Sequence, residues 1–477
     1  MIHGKQFAIL RNKLNIKNER YILLRDDWIL SISKDVPYCY NEDKDILLIG
    51  NAWSIFPGES PKNSVLSGGD VLTKEAGWCG RYVLIINGEV YTDTSALYGV
   101  FYNGKGIASD IRFLHDGDER NWDTGDLGFF PGTDTPFGDV KRILPSQSYN
   151  YKTGRISYRP LIADVPKLDK KQRAERFSRV FCLSLRNMEK MFPNRRFLVA
   201  LTGGYDSRAL FSLMYKSGVP FECFTLEHSN MPPGDITTPK EICKRTGIKH
   251  TYIKREEGDP VSLDMRYAEY TEHVSGMVKE EDQNFYTYGQ YEQLGDVILL
   301  RSNLWEIVVE YNERFIKDKL ERNNVYDYYE LKKNSLEYKS LEKALDWFDK
   351  HPENITDTNR VYWEIRGANW VAESEHGFDI YDDLISLQPM NCRYLISILL
   401  QYRKEERKND FHQREIIKYC CPEISNIPFA SNTDYLQTKK AKRKRLIQKT
   451  KRRIRKIGIA RTIRLYAMLM RGRRKHG

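Results

Sequence analysis

The segment Arg195–Leu210 constrains this chain more than any other. An apolar run from Phe197 to Leu201 reads as a buried strand, Thr202-Gly203-Gly204 as a turn, and Asp206-Ser207 as the opening of a helix. A strand, a glycine turn and a helix start in immediate succession give an anion a place to sit. Glycine lets the backbone approach closely, N–H groups at the helix start point at the negative charge, and hydroxyls add donors. An Asp within such a loop repels a bare phosphate, so its natural task is to hold Mg²⁺ that bridges phosphates. The spacing matches neither G-x-x-x-x-G-K-[ST] nor G-x-G-x-x-G, which excludes a Walker loop and a dinucleotide fingerprint at this position. The plain alternative is a structural junction in which Gly-Gly-x-Asp-Ser supplies only a turn and a helix cap.

The loop resembles the S-G-G-x-D-S loop of the ATP-pyrophosphatase fold, and specifically that of the asparagine synthetase superfamily. Thr202 stands for the first Ser and keeps the hydroxyl, while Gly203, Gly204, Asp206 and Ser207 match directly. The resemblance implies that Leu201, Thr202, Gly203, Gly204, Asp206 and Ser207 grip ATP, with Mg²⁺ on Asp206. It also implies that Thr225 to Glu227, at the end of the next strand, flank the adenine. The reaction it implies is adenylation of a carboxylate.

A chain of 477 residues exceeds one core, so two domains are expected. No apolar run approaches the length of a membrane span, and Met1 to Lys5 lacks a signal-peptide pattern. The eight Cys form no C-x-x-C pair and no metal-finger spacing, which fits a reducing cytoplasm. Charge is uneven: residues 439–477 hold 18 Lys/Arg and no acid, leaving 58 bases against 65 acids before them. The basic balance therefore belongs to the tail.

Residues 1–160 read as short strands separated by Asp, Asn, Gly and Pro, with Asn87-Gly88 as a hairpin turn. The series Gly80-Arg81-Tyr82, Thr92-Asp93, Tyr98 to Tyr102 and Ala108-Ser109-Asp110-Ile111, followed by Phe137 to Pro145, is similar to the glutaminase half of asparagine synthetases. That similarity implies an N-terminal-nucleophile-hydrolase-like sandwich. A working member needs a first-residue Cys whose own α-amine serves as base. Position 2 is Ile2 and the nearest thiol is Cys39, so this half is read as a degenerate glutaminase, as in β-lactam synthetases.

Residues 170–435 alternate strand and helix: a helix near 172–191, the loop strand, Phe221–Leu226, a helix from Pro239, and His250–Ile253. Alternation predicts a parallel sheet with ligands at the strand carboxyl ends. The fold class is thus α/β, a β-rich sandwich followed by a Rossmann-like ATP-pyrophosphatase sheet with a helical C-terminal part. Helices are expected at 261–281 and 285–293, then a strand from Asp296 to Leu300. After that strand the superfamily carries an acidic segment, where this chain has Arg301 to Glu306. Glu306 aligns as the catalytic carboxylate, Trp305 falls at a metal-binding Asp position, and Glu306 and Glu310 also fit a solvated helix face. Asp235 loosely resembles an acidic position of the superfamily and fits a helix N-cap better, and Tyr362, Trp363 and Trp370 fit a packed helix core. The superfamily's late Lys is missing from Ile424 to Ala430, with Arg414 and His412 as candidate substitutes.

The tail at 436–477 shows a basic amphipathic pattern through Leu446, Ile454, Ile457, Ile463 and Tyr466. Peripheral contact with anionic lipid at the inner membrane face, nucleic-acid contact and a disordered extension all fit it, and its one-sided apolar groups favour lipid over nucleic acid. The resulting expectation is a cytoplasmic ligase, with a homodimer as one form. It joins a carboxylate-bearing small molecule, sugar acid or peptide to ammonia or an amine, using ATP and Mg²⁺. The alternative is an inactive ATP-binding or scaffold homologue.

Overall fold

The computed structural model describes residues 5–14, 19–117, 129–227, 231–253, 294–309, 322–329 and 331–429. The helices expected at 261–281 and 285–293, Glu310 and the basic tail lie outside the described residues.

The first half builds two antiparallel six-stranded sheets. One runs β10 (Lys141–Arg142), β8 (Phe101–Asn103), β9 (Gly106–Ala108), β1 (Phe7–Leu10), β3 (Ile29–Ser33), β2 (Glu19–Leu23). The other runs β12 (Arg155–Tyr158), β11 (Gln147–Asn150), β7 (Glu89–Thr92), β6 (Trp78–Ile86), β5 (Ile46–Ser54), β4 (Tyr38–Asn41). The sheets face one another across a shared core: Phe7, Ile9, Leu30 and Ile32 from the first meet Leu47, Ile49, Val83 and Ile85 from the second. Period-two alternation sends Leu48, Tyr82 and Leu84 to the other side, against Val65 and Val71 of the helices Pro61–Ser67 and Val71–Glu75. The β6–β7 turn is the expected hairpin: Asn87 and Gly88 both take positive φ, 50° and 83°, as a two-residue primed turn requires.

The second half contains a parallel sheet of order β15 (His250–Ile253), β14 (Glu222–Leu226), β13 (Arg196–Ala200), β16 (Val297–Leu300), β17 (Leu384–Leu387). Val297 to Leu300 are all buried, as a central parallel strand covered on both faces demands. The strand β17 departs from the expectation of continuous helix beyond residue 300. Its four residues are too few for periodicity to separate strand from helix, and pairing with β16 decides the matter.

The two halves share one hydrophobic core, in which Trp53, Cys79 and Leu97 pack with Phe177, Phe181 and Leu185 of the helix Arg173–Met191. Polar ties reinforce it. The Arg81 guanidinium grips both oxygens of Asp379, at 2.8 and 2.6 Å. Trp53 Nε1 donates to Ser184 Oγ at 2.9 Å, and Trp363 Nε1 donates to the Thr94 carbonyl at 2.9 Å. All eight thiols are buried and unpaired. Among the described residues no helix is long and apolar enough to cross a membrane.

Candidate active site

Strand order turns the parallel sheet around at β13 and β16: the chain moves outward to β14 and β15 on one side, then returns to β16 and β17 on the other. In open parallel sheets the crevice at such a reversal, beyond the strand carboxyl ends, is where ligands bind. The Leu201–Ser207 loop leaves β13 there, and Ser302–Ile307 leaves β16 beside it.

The loop is braced from within. Thr202 Oγ1 and Ser207 Oγ lie 2.9 Å apart, Thr202 N–H donates to Ser207 Oγ at 3.1 Å, and Gly204 N–H donates to Thr202 Oγ1 at 3.3 Å. Helix Tyr205–Ser217 starts on Gly204 without a side-chain cap, so no capping side chain occupies its first-turn N–H groups. Gly204 has φ −76°, and a Cβ there would meet only Thr202 Oγ1, at 3.4 Å. Neither backbone conformation nor packing therefore demands glycine at this position.

Asp235 does something other than cap its helix. Helix Pro233–Thr246 starts on Pro232 with no side-chain cap, and Asp235 Oδ1 instead accepts the Gly203 N–H at 2.8 Å. The carboxylate thus fixes the loop from the neighbouring crossover. Removing it in Asp235→Ala is expected to cost about 1–2 kcal/mol of stability and to weaken nucleotide binding, read by urea unfolding and calorimetry.

Asp206 is half-buried, and its desolvation pushes its carboxyl well above the usual range, with Glu306 and Asp410 adding repulsion. Gln413 donates its amide to Asp206 Oδ1. Burial also raises Glu306, while a hydrogen bond from the Tyr362 hydroxyl and the charge of Arg366 oppose the rise. Two carboxyls from separate strand ends thus lie close enough to repel. Tyr362, expected as plain core, is buried but spends its hydroxyl on Glu306. It opens the π-helical segment Tyr362–Val371, a widened turn of the kind that recurs at functional sites. Aromatic spacing alone carried no sign of this role.

The cations around the loop differ. Arg208 is fully buried and donates to the carbonyls of Ile427, Pro428 and Gly203, at 2.7, 2.9 and 3.2 Å, and lies 3.8 Å over the Phe429 ring. Burial lowers its pKa to about 10. Arg414 is exposed, donates to the Tyr205 hydroxyl, and stacks over Tyr205 at 4.9 Å. His412 is buried against Tyr402, and burial holds it neutral with a pKa of about 3. Of the two candidate substitutes for the missing Lys, Arg414 reaches the loop. The Thr225 hydroxyl is committed elsewhere: it donates to the Leu201 carbonyl at 2.8 Å and lies 2.8 Å from His250 Nε2. Trp305 is wholly buried against Phe177 and Phe181, at 5.8 and 6.3 Å between ring centroids. Among the described residues no group of three or more His, Cys, Asp or Glu is placed to hold a metal.

No family model and no curated protein matches the chain. Solved structures similar to it include a glutamine-dependent NAD⁺ synthetase from Acinetobacter baumannii in complex with ADP (12% identity, TM-score 0.22, 37% of this chain and 32% of that one). An NMN synthetase from Francisella tularensis is 17% identical, with TM-score 0.22, over 41% of this chain and 93% of that one. A U34-tRNA thiolase from Methanococcus maripaludis with its [4Fe-4S] cluster is 12% identical, with TM-score 0.24, over 56% and 90%. The chain spans about a third of the length of the NAD⁺ synthetase.

Proposed function

We propose that the protein is an asparagine-synthetase-like ligase that uses ATP to adenylate a carboxylate and then transfers the acyl group to ammonia or an amine. The observation that carries this reading is the pair of half-buried carboxyls, Asp206 and Glu306, the second raising the first, beside an uncapped helix start at the sheet's reversal point. A desolvated acid beside a second carboxyl is a costly arrangement unless a cation joins it. Asp206 would hold a Mg²⁺ ion, which would supply charge neutralisation to the phosphates.

In this scheme the loop amides and the hydroxyls of Thr202 and Ser207 bind the phosphates. The substrate carboxylate oxygen attacks the α-phosphorus, and the α–β bridging bond breaks to release pyrophosphate. Arg414 at the loop mouth balances charge on that leaving group, standing where the superfamily's Lys is missing. The nitrogen then attacks the acyl carbon and AMP departs. Glu306, oriented by Tyr362, accepts the proton that the nitrogen gives up. Its raised pKa suits a base working near neutrality. The sandwich is proposed as an N-terminal-hydrolase-type domain without its nucleophile, so the nitrogen is supplied from outside it. The basic 439–477 segment is proposed to hold the enzyme against anionic lipid, which makes an envelope sugar acid a fitting acceptor.

Pyrophosphate exchange into ATP across a panel of carboxylates tests the reaction, with AMP as the expected nucleotide product. Release of ADP and phosphate would refute it. Glu306→Gln and Tyr362→Phe are expected to keep that exchange and to slow amide formation about 100-fold or more. The second reading, an ATP-binding scaffold without turnover, is favoured by buried Trp305 at an expected acidic position. It predicts Mg²⁺-dependent ATP binding with no exchange for any acceptor.

A further inference from the structure

Away from the nucleotide loop, a cavity of about 420 Å³ opens between the sandwich and the end of helix Arg173–Met191. Its volume lies within the usual range for small-molecule sites. Leu48, Ala52, Trp53 and Met191 give it an apolar wall. Glu59 and Asn187 inside it already have partners. Glu59 accepts from Trp78 Nε1 at 3.1 Å and from Ser54 Oγ at 2.8 Å. Asn187 donates to the carbonyls of Ser54 and Phe56, at 2.9 and 3.2 Å.

Two lining groups stand apart: Lys62 and Lys190, both exposed, form no ion pair among the described residues. They come from different halves of the chain, one from helix Pro61–Ser67 and one from helix Arg173–Met191, and meet at the same cavity. Two positive charges without partners beside an apolar chamber complement one kind of ligand. We propose that this cavity binds an amphipathic anion, with its apolar body against Leu48, Ala52, Trp53 and Met191 and its head between Lys62 and Lys190. Lysine ammoniums act as point charges without the fork geometry of arginine, so they accept a carboxylate or a phosphate head.

None of the loop residues lines the cavity, so this inference stands independently of the ligase reading. Calorimetry on the full chain with decanoate, decyl phosphate and decanol tests it. Both anions are expected to bind, and the tighter of the two identifies the natural head group. Binding is expected to weaken about tenfold or more in Lys62→Glu/Lys190→Glu, whose exposed positions leave folding intact. Ala52→Leu, which narrows the chamber and keeps both lysines, is expected to weaken binding as well. Decanol binding as tightly as the anions would overturn the proposal. So would anion affinity unchanged in the double variant, or no anion binding up to about 1 mM.

Discussion

Asp206→Asn is expected to make the ligand-free protein more stable while abolishing its response to ATP and Mg²⁺. Burial and the neighbouring Glu306 and Asp410 raise the Asp206 pKa in the folded state. A carboxyl with a raised folded pKa favours folding most below its unfolded pKa, and that contribution is lost as pH rises through the folded value. Near neutrality the native chain therefore carries a penalty that Asn removes, while Asn still accepts the Gln413 amide. The expected gain is about 1–3 kcal/mol, with a shallower fall in stability as pH rises from the acidic range. Wild type should recover the difference when ATP and Mg²⁺ are added: a ligand at about 100 times its Kd contributes roughly 2.7 kcal/mol. Catalysis in the variant should fall by about 100-fold or more. Thermal unfolding across pH, with and without nucleotide, reads all of this. A variant less stable than wild type without ligand would contradict the electrostatic account of the site.

Arg81→Ala should have the largest effect on stability. Arg81 and Asp379 are buried, joined by two hydrogen bonds, and belong to opposite halves of the chain. Truncating the arginine strands the Asp379 carboxylate, an expected loss of about 3–5 kcal/mol in urea unfolding. Replacing both partners, as Arg81→Met/Asp379→Leu, should recover most of it, because the stranded charge is gone. A single variant within about 1 kcal/mol of wild type would show that the apolar core alone joins the halves.

Much of the second half was legible in the chain because local signals and tertiary structure agree there. The 197–201 run, the glycine turn and the strand His250–Ile253 each had one reasonable reading, and the structure places them accordingly. Asn87-Gly88 was equally plain, since few other residues take two successive positive φ angles cheaply. The strand Leu384–Leu387 was not, because its identity depends on a neighbour distant in sequence. The contact of Asp235 with Gly203 was hidden for a related reason: an Asp at a helix start has a local explanation, and only the fold brings the loop within its reach. The role of Tyr362 is hidden because a buried tyrosine looks the same in sequence whether or not its hydroxyl has a task.

The contacts of the π-helical segment bear on how labour is divided in the molecule. Tyr362 is followed by Trp363, which is anchored on the Thr94 carbonyl, and Glu364 accepts from both Arg360 and Ser146. Thr94 and Ser146 belong to the first half of the chain. That half acts as the jig against which Tyr362, the partner of Glu306, is set. Cutting the chain between its halves would therefore unseat a residue at the strand ends of the parallel sheet.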